Sequence, residues 1–528
     1  MTDMPSHTLP SNRLSQLQRF VEEHGLPIFR GIEKEGLRSK QDFDIAQSNH
    51  PKALGHPLTH PLITTDYSEA LLELITPVEA SREALANRLE AIHRYTLNHI
   101  DDELLWVGSM PCRLNGNASI RIAEYGDSNI GKLKHVYRQG LGARYGRIMQ
   151  SIAGLHFNFS LSDDYWQDQR TNSASSLSLM DYKSEQYFAM TRNFRRYSWL
   201  LMYLFGASPT LDKSFLNGET HHLKAFDNKG SYYQPYATSL RMSDLGYHNN
   251  AQSSLAICFN TLDNFTNTLK RAIQTPYAEY EKIGIKQNNK FIQLNTSILQ
   301  IENEYYSSIR PKRSTKPNEK PNQALTERGV EYLEVRCLDL NPFLATGISP
   351  QQIDFMDLFL LYCLLKDSPW INDAECDALD LNFDLTVNEG RNPNLSLKCG
   401  EALTQIPEWG KQLLDGMRPI ANILDASTKD GRYKLALDEQ TNKVLDPELT
   451  PSAQVLAIMK QESLSWLEFA GELSRKHKST LTDPKNPKAL PDQSELSLAA
   501  HKSFEDAEQI LAQDKLPFEE FMHAYQQQ

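Results

Sequence analysis

The first two thirds of the chain contain short segments in which apolar and polar side chains alternate with the two-residue period of a β-strand. In the segment GIEKEGLR, Glu33 and Glu35 therefore point to the same face of an extended chain. In GLHFNFSLS, at 154–162, the polar face carries His156 and Asn158, while leucine and phenylalanine form the opposite face. The alternation predicts a half-buried strand in both segments.

Two later segments show the same alternation and predict extended chain at about 330–340 and 291–306. In EYLEVRCLDLNPF, Glu334 and Arg336 lie on one face, opposite leucine and valine. The polar face of LQIENEYYSSIRPKR carries three side chains, which are Glu302, Glu304 and Tyr306. Each segment taken alone is most simply a strand with one solvated face, so the chemical interpretation depends on their recurrence.

The segment TTDYSEALLELITP supplies three more carboxylates but leaves its own conformation open. Asp66 and Glu69 have the spacing of a helix capping box, after which Glu69 and Glu73 would share a helical face. Alternatively, LLELIT is a strand that ends before Pro77, with Glu73 on one side. Periodicity alone does not decide between the two.

Helical spacing of apolar residues predicts a helix at about 13–24 and a long amphipathic helix at about 77–100. Beyond Ser349 this period dominates, and further helices are predicted at about 351–366, 400–426 and 451–478. We therefore predict an α+β core over 1–345 that carries every recognised motif, with a mainly helical remainder, 346–528, packed on it. The alternative is one continuous unit.

The chain has 528 residues, of which 40% are hydrophobic and 23% are charged, as in ordinary globular proteins. Its net charge of −12 argues against a nucleic-acid partner. The six cysteines are scattered without zinc-ligand spacing, which favours reduced thiols and a cytoplasmic protein. The N-terminus lacks a signal-peptide pattern, and no apolar run approaches the roughly 20 residues of a membrane span, so no membrane partner is expected.

Convergence of these polar strand faces would gather their carboxylates and imidazole into one acidic cavity. Mg²⁺ and Mn²⁺ prefer carboxylate oxygen, accept an imidazole and share their coordination shell with substrate phosphates. Such cavities serve phosphoryl transfer, and arginines bind anionic substrates there through a bidentate fork. The candidate arginines are Arg241, Arg310, Arg313 and Arg336.

Motifs for other chemistries are incomplete or absent from the sequence. GDSNIGKL, at 126–133, matches a P-loop only in part, because Leu133 stands where that loop needs Ser or Thr for magnesium. We interpret it as a chance match, so ATP would bind without a Walker loop. The sequence also lacks the G-x-S-x-G motif of serine hydrolases and the H-E-x-x-H motif of zinc proteases.

Long motifs across about residues 30–345 resemble the gamma-proteobacterial type of glutamate–cysteine ligase (γ-glutamylcysteine synthetase). They occur in the family's order, which is GIEKEGLR, LTHPLITTDYSEALLELITP, SMPC, EYGDSNIGKLKHVYRQGL, RYGRIMQSIAGLHFNFS, YLFGASP, YATSLRMSDLGY, QIENEYYSSIRPKR and EYLEVRCLDLNPF. This ordered run is far more specific than any single alternating segment. Beyond about residue 370 only helical character aligns.

The resemblance implies that ATP phosphorylates the γ-carboxylate of L-glutamate and that the amine of L-cysteine then attacks the acyl phosphate. The products would be γ-glutamylcysteine, ADP and phosphate, in the first step of glutathione biosynthesis. It also implies an α+β fold in which a curved, mainly antiparallel sheet forms a funnel-shaped active site, as in glutamine synthetase, with helices outside. That fold favours a strand around Glu73.

The resemblance also implies roles for individual residues. Two or three Mg²⁺ ions, which Mn²⁺ can replace, would be held by Glu33, Glu35, Asp66, Glu73, His156 and Glu334. The implied catalytic residues are Arg336, Glu334 and Arg241, with Asn158 and Arg336 near the phosphates and the glutamate and Arg241 on the glutamyl group. The implied cysteine pocket consists of Tyr137, Arg138, Tyr247 and Tyr306. The implied nucleotide contacts are Arg310, Arg313 and Arg336.

Two other functions stay open on the sequence. One is a carboxylate–amine ligase with a different amine acceptor, and the other is a non-catalytic regulator that binds metal or nucleotide. The intact set of six ligands argues against the regulator, and the four pocket residues favour cysteine as the acceptor. Glutathione contains both substrate moieties, and the resemblance makes it the expected feedback inhibitor.

Overall fold

The structure is a computed structural model that describes residues 7–246, 255, 259–316, 319–485 and 493–527. Its strands are β1 (Ile28–Ser39), β2 (Ile63–Thr65), β3 (Leu71–Ile75), β4 (Leu104–Leu105), β5 (Leu155–Leu161), β6 (Thr210–Asp212), β7 (Lys224–Ala225), β8 (Ser231–Tyr233), β9 (Lys286–Gln287), β10 (Lys290–Phe291), β11 (Ile309–Lys312), β12 (Tyr332–Leu338), β13 (Ser396–Cys399) and β14 (Ala402–Gln405). Seven of them form a central sheet in the order β11-β12-β5-β1-β3-β2, with β4 also paired to β1. Every neighbouring pair in this sheet is antiparallel.

The helices surround the sheet and dominate the last third of the chain. They are α1 (Ser11–His24), α2 (Arg82–Asn98), α3 (Asn129–Tyr145), α4 (Asp163–Asn172), α5 (Leu179–Phe205), α6 (Lys213–Leu216), α7 (Leu262–Ala272), α8 (Ala278–Ile283), α9 (Pro321–Arg328), α10 (Pro350–Leu365), α11 (Asp373–Glu389), α12 (Ile406–Thr428), α13 (Arg432–Leu445), α14 (Pro451–Gln461), α15 (Trp466–Thr482), α16 (Gln493–Ala512) and α17 (Phe518–Gln527). Across the described ranges, none of these helices combines the length and the apolar character needed to cross a membrane.

One face of the central sheet is apolar because the alternating strands place their aliphatic and aromatic residues there. Ile32 of β1 lies opposite Phe157 of β5, and both are fully buried. Val335 of β12 continues the same layer beside Phe157. The 27-residue helix α5 packs on β11 and β12 at this side. The opposite face of the sheet carries the polar residues of the same strands.

A buried ion pair joins this apolar face to the helical remainder. Arg30 of β1 donates from Nε to Asp357 Oδ1 of α10 at 2.8 Å and from Nη2 to Asp357 Oδ2 at 2.5 Å. The two side chains are 1% and 0% exposed. Tyr433 of α13 adds a hydrogen bond to Asp357 at 3.1 Å. Because the Asp357 carboxylate pairs bidentately with the Arg30 guanidinium, the charge of Arg30 can be buried in the core.

Helices on both sides of residue 345 contribute to one large apolar core. Leu360 of α10, Leu413 of α12 and Leu437 of α13 belong to the same buried cluster as Phe157 of the sheet. The helical remainder therefore packs directly on the β-rich part, while its division at residue 345 stays a prediction.

The strands predicted from alternation are confirmed at β1, β5 and β12. TTDYSEALLELITP also contains a strand, β3, so the helical alternative for this segment is wrong. The carboxylate of Glu69 instead accepts the backbone N–H of His50 at 2.9 Å. The predicted helices at about 13–24, 77–100 and 351–366 are confirmed as α1, α2 and α10.

The prediction of extended chain over 291–306 is wrong beyond the end of β10. A 3-10 turn, Glu302–Glu304, takes its place. Side chains satisfy the backbone here, because Glu304 Oε2 accepts from Gln300 N at 2.6 Å and Gln300 Oε1 accepts from Leu294 N at 2.9 Å. With these local partners the segment needs no neighbouring strand.

Two predicted helices have different limits in the structure. The helix expected at 400–426 begins at Ile406, because the hairpin β13–β14 turns at Gly400 with φ +61°. The helix expected at 451–478 is two helices, since Ser463 adopts the left-handed conformation with φ +55° and Ser465 caps α15. Apolar periodicity runs through both boundaries, so the spacing alone does not reveal them.

Asp357→Asn is predicted to lower the free energy of unfolding by about 3–5 kcal/mol, because the Arg30 charge stays buried without its counter-ion. Urea unfolding measures the change. The matched control is Asp367→Asn, since Asp367 pairs with Arg13 at 3.6 Å but keeps 74% of its side chain exposed. An Asp357 variant as stable as this control would contradict the role of the buried pair.

Candidate active site

The polar face of the central sheet borders a cavity of about 740 Å³. On one side of β1, Glu33 lies opposite His156 of β5. On its other side, Glu35 lies opposite Glu73 of β3. Because residues two apart on a strand share a face, the antiparallel register directs all four side chains into the cavity.

All six predicted metal ligands line this cavity. They are Glu33, Glu35, Asp66, Glu73, His156 and Glu334. Asp66 belongs to the turn between β2 and β3, and the other five belong to β1, β3, β5 and β12. Residues from widely separated segments of the chain therefore meet at one place.

The imidazole of His156 lies among three of the carboxylates. Its Nδ1 is 3.2 Å from Glu33 Oε2 and 3.9 Å from Glu334 Oε1, and its Nε2 is 3.6 Å from Glu35 Oε1. Asn158 Nδ2 donates to Glu33 Oε1 at 2.8 Å. These contacts fix the orientation of the ring and of the Glu33 carboxylate.

Part of this cluster has the donor spacing of a metal site. One ligand atom each from Glu33, Glu73 and His156 lies within 4.8 Å of the others. Burial and the neighbouring carboxylates, with Glu33 first among them, raise the pKa of Glu73 well above its usual value. A divalent cation relieves such repulsion, and Mg²⁺ and Mn²⁺ accept carboxylate oxygens together with one imidazole. The donor set therefore fits such an ion.

Cationic side chains border the other end of the cluster. Lys312 Nζ lies 3.2 Å from Glu334 Oε1, and Arg336 Nη1 donates to Glu334 Oε2 at 2.8 Å. Burial opposes ionisation of Glu334, but Lys312 and Arg336 outweigh it and hold its pKa well below its usual range. The cavity thus has an acidic end and a basic end.

A second cavity, of about 240 Å³, opens beside the basic end. Asn303, Arg310 and Lys312 line both cavities and so form the border between them. Arg310 is buried and donates to the carbonyl oxygens of Tyr305 and Asn303. Burial and the nearby charge of Arg336 lower the pKa of Arg310 to about 10. An anion bound at this border would meet fixed cationic groups.

Three of the four residues predicted for the cysteine pocket also line the larger cavity. Tyr137 and Arg138 project from α3, and Tyr306 follows the 3-10 turn. Arg138 is held by a hydrogen bond from Nε to the carbonyl oxygen of Asp66. Tyr247 lies outside the described residues.

Three predicted residues lie beside the larger cavity. Arg241 is fully buried behind β12, where Nη2 donates to the carbonyl oxygen of Arg336 at 3.0 Å. Asn158 donates a hydrogen bond to Glu33, which lines the cavity. Arg313 lines the smaller cavity and donates to a carbonyl oxygen at 2.7 Å. Direct contact of these three with a substrate stays a prediction.

Known proteins resemble this chain over nearly its whole length. A family model described as glutamate-cysteine ligase matches residues 14–386. The glutamate–cysteine ligase of Hahella chejuensis is 50% identical over 521 residues, which cover 97% of this chain and 98% of that protein. The chain belongs to the glutamate–cysteine ligase family. A second relative, the glutamate–cysteine ligase of Pseudomonas paraeruginosa, is 49% identical over 496 residues, which cover 94% of this ligase and 93% of that protein.

Solved structures show the same fold. The glutamate–cysteine ligase of Francisella tularensis, in complex with AMP, has a TM-score of 0.88 and 37% identity, covering 95% of this ligase and 98% of that chain. A bifunctional glutathione synthetase from Pasteurella multocida has a TM-score of 0.70 at 24% identity, covering 90% of this chain and 54% of that one, which shows the fold alone. The predicted fold class is confirmed.

Two lysines line the ligase's larger cavity without having been predicted there. Lys312 follows Arg310 by two positions on β11, so the strand period places both on one face and was a usable signal. Lys134 precedes Arg138 by one helical turn on α3. Burial and the charge of Arg138 lower the pKa of Lys134 to about 8.

A buried ionic contact supports the wall formed by Tyr137 and Tyr306. Glu304 Oε1 accepts from Arg144 Nη1 at 2.9 Å and from Tyr145 Oη at 2.5 Å. Both charged side chains are fully buried. Since Arg144 and Tyr145 end α3 and Glu304 closes the 3-10 turn, the contact ties the two parts of the wall together.

Glu73→Gln is predicted to raise the ligase's melting temperature in a chelator by about 2–4 °C, because the amide removes one of the crowded negative charges. Added Mg²⁺ should then raise the melting temperature of the wild type more than that of the variant. Thermal unfolding measures both effects. Glu124→Gln, at an exposed glutamate, is the control and should show neither. A Glu73 variant that melts below the wild type in the chelator would contradict the crowding.

Proposed function

We propose that this ligase joins the γ-carboxylate of L-glutamate to the amine of L-cysteine. The γ-carboxylate takes the terminal phosphoryl group of ATP, giving ADP and γ-glutamyl phosphate. The amine attacks the acyl carbon, loses a proton and displaces inorganic phosphate, giving γ-glutamylcysteine for glutathione synthesis. The observation that carries the proposal is the convergence of six predicted ligands on one cavity, in a chain of this family.

We assign the metal site to Glu33, Glu35, Asp66, Glu73, His156 and Glu334. Five carboxylates and one imidazole support two or three Mg²⁺ ions, with Mn²⁺ as a replacement. When bound, the ions neutralise phosphate charge during phosphoryl transfer. His156 and the Glu33 carboxylate are already oriented by their mutual contact and by Asn158, so the donors need little rearrangement.

The smaller cavity is the proposed site of the ATP base, and the triphosphate then passes Asn303, Arg310 and Lys312 into the larger cavity. Lys312 and Arg310 offer cationic donors that phosphate oxygens accept. Arg336, held by Glu334, is the proposed partner of the transferring phosphoryl group and of the glutamate. Donors fixed before the reaction stabilise developing charge without reorganisation. The AMP complex of the Francisella tularensis relative supports a nucleotide site in this fold.

Tyr137, Arg138 and Tyr306 form the proposed cysteine pocket, with Tyr247 as its further member. Burial raises the pKa of Tyr306 to about 12. Its hydroxyl donates to Met242 Sδ at 3.1 Å and is available as a donor to the substrate at neutral pH. Arg138 offers a guanidinium for the cysteine carboxylate. Arg241, which lies beside β12 and donates to the carbonyl oxygen of Arg336, is the proposed contact of the glutamyl group. A site closed around these groups protects the acyl phosphate from water.

We place the reaction in the cytoplasm. All five cysteines that the structure describes are free thiols, and four of them are buried. Free thiols are typical of a reducing compartment. Glutathione is the proposed feedback inhibitor, because it contains the glutamyl and cysteinyl groups that the cavity would bind.

The proposed function is tested by ADP release with glutamate, ATP and Mg²⁺. We expect release with L-cysteine and weaker release with 2-aminobutyrate, alanine and glycine, since the pocket is assigned to cysteine. Mass spectrometry should identify γ-glutamylcysteine as the product. Strong preference for another amine would move the assignment to a different acceptor, and no release with any amine would favour a non-catalytic regulator.

Lys312→Met is predicted to lower kcat by about a hundredfold or more, because a fixed positive charge near the transferring phosphoryl group is lost. Steady-state kinetics with glutamate, cysteine and ATP measures the change. The control is Lys316→Met, since Lys316 is exposed on the same segment and lines neither cavity. If both variants turn over like the wild type, Lys312 has no part in the transfer.

A further inference from the structure

The last helix of the chain, α17, lies against the helix that carries the proposed cysteine pocket. It belongs to the helical remainder, yet its Tyr525 lines the larger cavity. Leu133 of α3 and Ile301 are neighbouring members of the same wall. A residue near the end of the sequence thus helps to enclose a site whose other members lie before residue 345 or in α11.

A small apolar cluster joins α17 to α3, separately from the main core. Its buried members are Leu133, Val136, Leu294 and Met522. Tyr137 and Tyr525 pack partly buried against it. Because Leu133 and Tyr137 are one helical turn apart on α3, the packing of Met522 in this cluster restrains Tyr137 as well.

Hydrogen bonds fix the position at which α17 meets α3. The backbone N–H of Asn129, the first residue of α3, donates to Asp514 Oδ2 at 2.7 Å. Asn129 Nδ2 donates to the carbonyl oxygen of Leu516 at 2.8 Å. A carboxylate at a helix N-terminus is also favoured by the helix dipole. The turn before α17 is therefore tied to the start of α3.

The ring of Tyr525 has a second neighbour besides the apolar cluster. Lys320 Nζ lies 5.1 Å from the ring centre, within the range of a cation–π contact. Lys320 and Tyr525 also line a cavity of about 220 Å³ under α17, together with Glu302. Besides α3, the helix contacts the segment 286–294, where Lys286 Nζ lies 2.6 Å from Glu519 and Gln526 Nε2 donates to the carbonyl oxygen of Leu294.

We propose that α17 belongs to the amine-acceptor site, with Met522 and Tyr525 as positioning residues for cysteine. Met522 holds α3 so that Tyr137 and Arg138 face the acceptor, and Tyr525 closes the cavity wall beside them. This inference rests on the proposed function and names a further part of the same site. It also gives the helical remainder a role in the reaction.

The test compares Met522→Ala and Tyr525→Ala in the full-length protein. We expect each to raise the KM for cysteine about tenfold, because a small misplacement of binding groups is costly. The KM for glutamate and kcat should change less than about threefold. Tyr525→Phe, which keeps the aromatic ring, should have the wild-type KM for cysteine. The matched control is His523→Ala, at an exposed position on the same helix.

Hydrogen exchange gives a second readout that does not depend on turnover. The amides of α3 should exchange several-fold faster in Met522→Ala than in the wild type, while those of β1 and β5 stay unchanged. Accelerated exchange throughout the chain would mean that the substitution acts on global stability and would overturn the proposal.

The outcomes separate this inference from the proposed function. An active wild type with an unchanged KM for cysteine in both alanine variants would overturn the inference alone. Equal losses for all three substrates would also overturn it, because they indicate a structural role without acceptor specificity. A wild type that is inactive with every amine would overturn the proposed function and this inference with it.

Discussion

The structure depends on one electrostatic constraint: carboxylates on neighbouring antiparallel strands face the same cavity without forcing the strands apart. Glu35 and Glu73 are direct cross-strand partners, an arrangement that is unfavourable for like charges. His156 Nε2 lies 3.6 Å from Glu35, and Lys312 and Arg336 pair with Glu334, so these groups offset part of the repulsion among the carboxylates of the cluster. Divalent ions would offset more, so the crowding of these carboxylates is itself a reason to expect metal binding.

A sheet with such a face needs rigid support from its other side and its ends. The apolar layer under β1 and β5 packs on helices, and the pair of Arg30 and Asp357 ties that layer to α10. The contact of Glu304 with Arg144 holds the wall that carries Tyr306. These contacts place the polar groups before a substrate arrives, which is how fixed charges stabilise a transition state most effectively.

Alternation of side chains was sufficient to predict β1, β5 and β12, because a half-buried strand must repeat every two residues. The six ligands followed from the resemblance, and the structure brings all six to one cavity. The turn at Glu302–Glu304 could not be predicted, since the Glu304 side chain that accepts from Gln300 N is itself held by Arg144 of the distant helix α3. Tyr525 carries no local signal at all, because only the docking of α17 on α3 brings it to the cavity.

The most direct measurement is a crystal structure with Mn²⁺ and a non-hydrolysable ATP analogue, in which anomalous scattering locates the manganese. We predict manganese among Glu33, Glu73 and His156, with the terminal phosphate of the analogue beside Lys312. A bound nucleotide with no manganese among these side chains would contradict the claim that the acidic cluster of this sheet is a metal site for phosphoryl transfer.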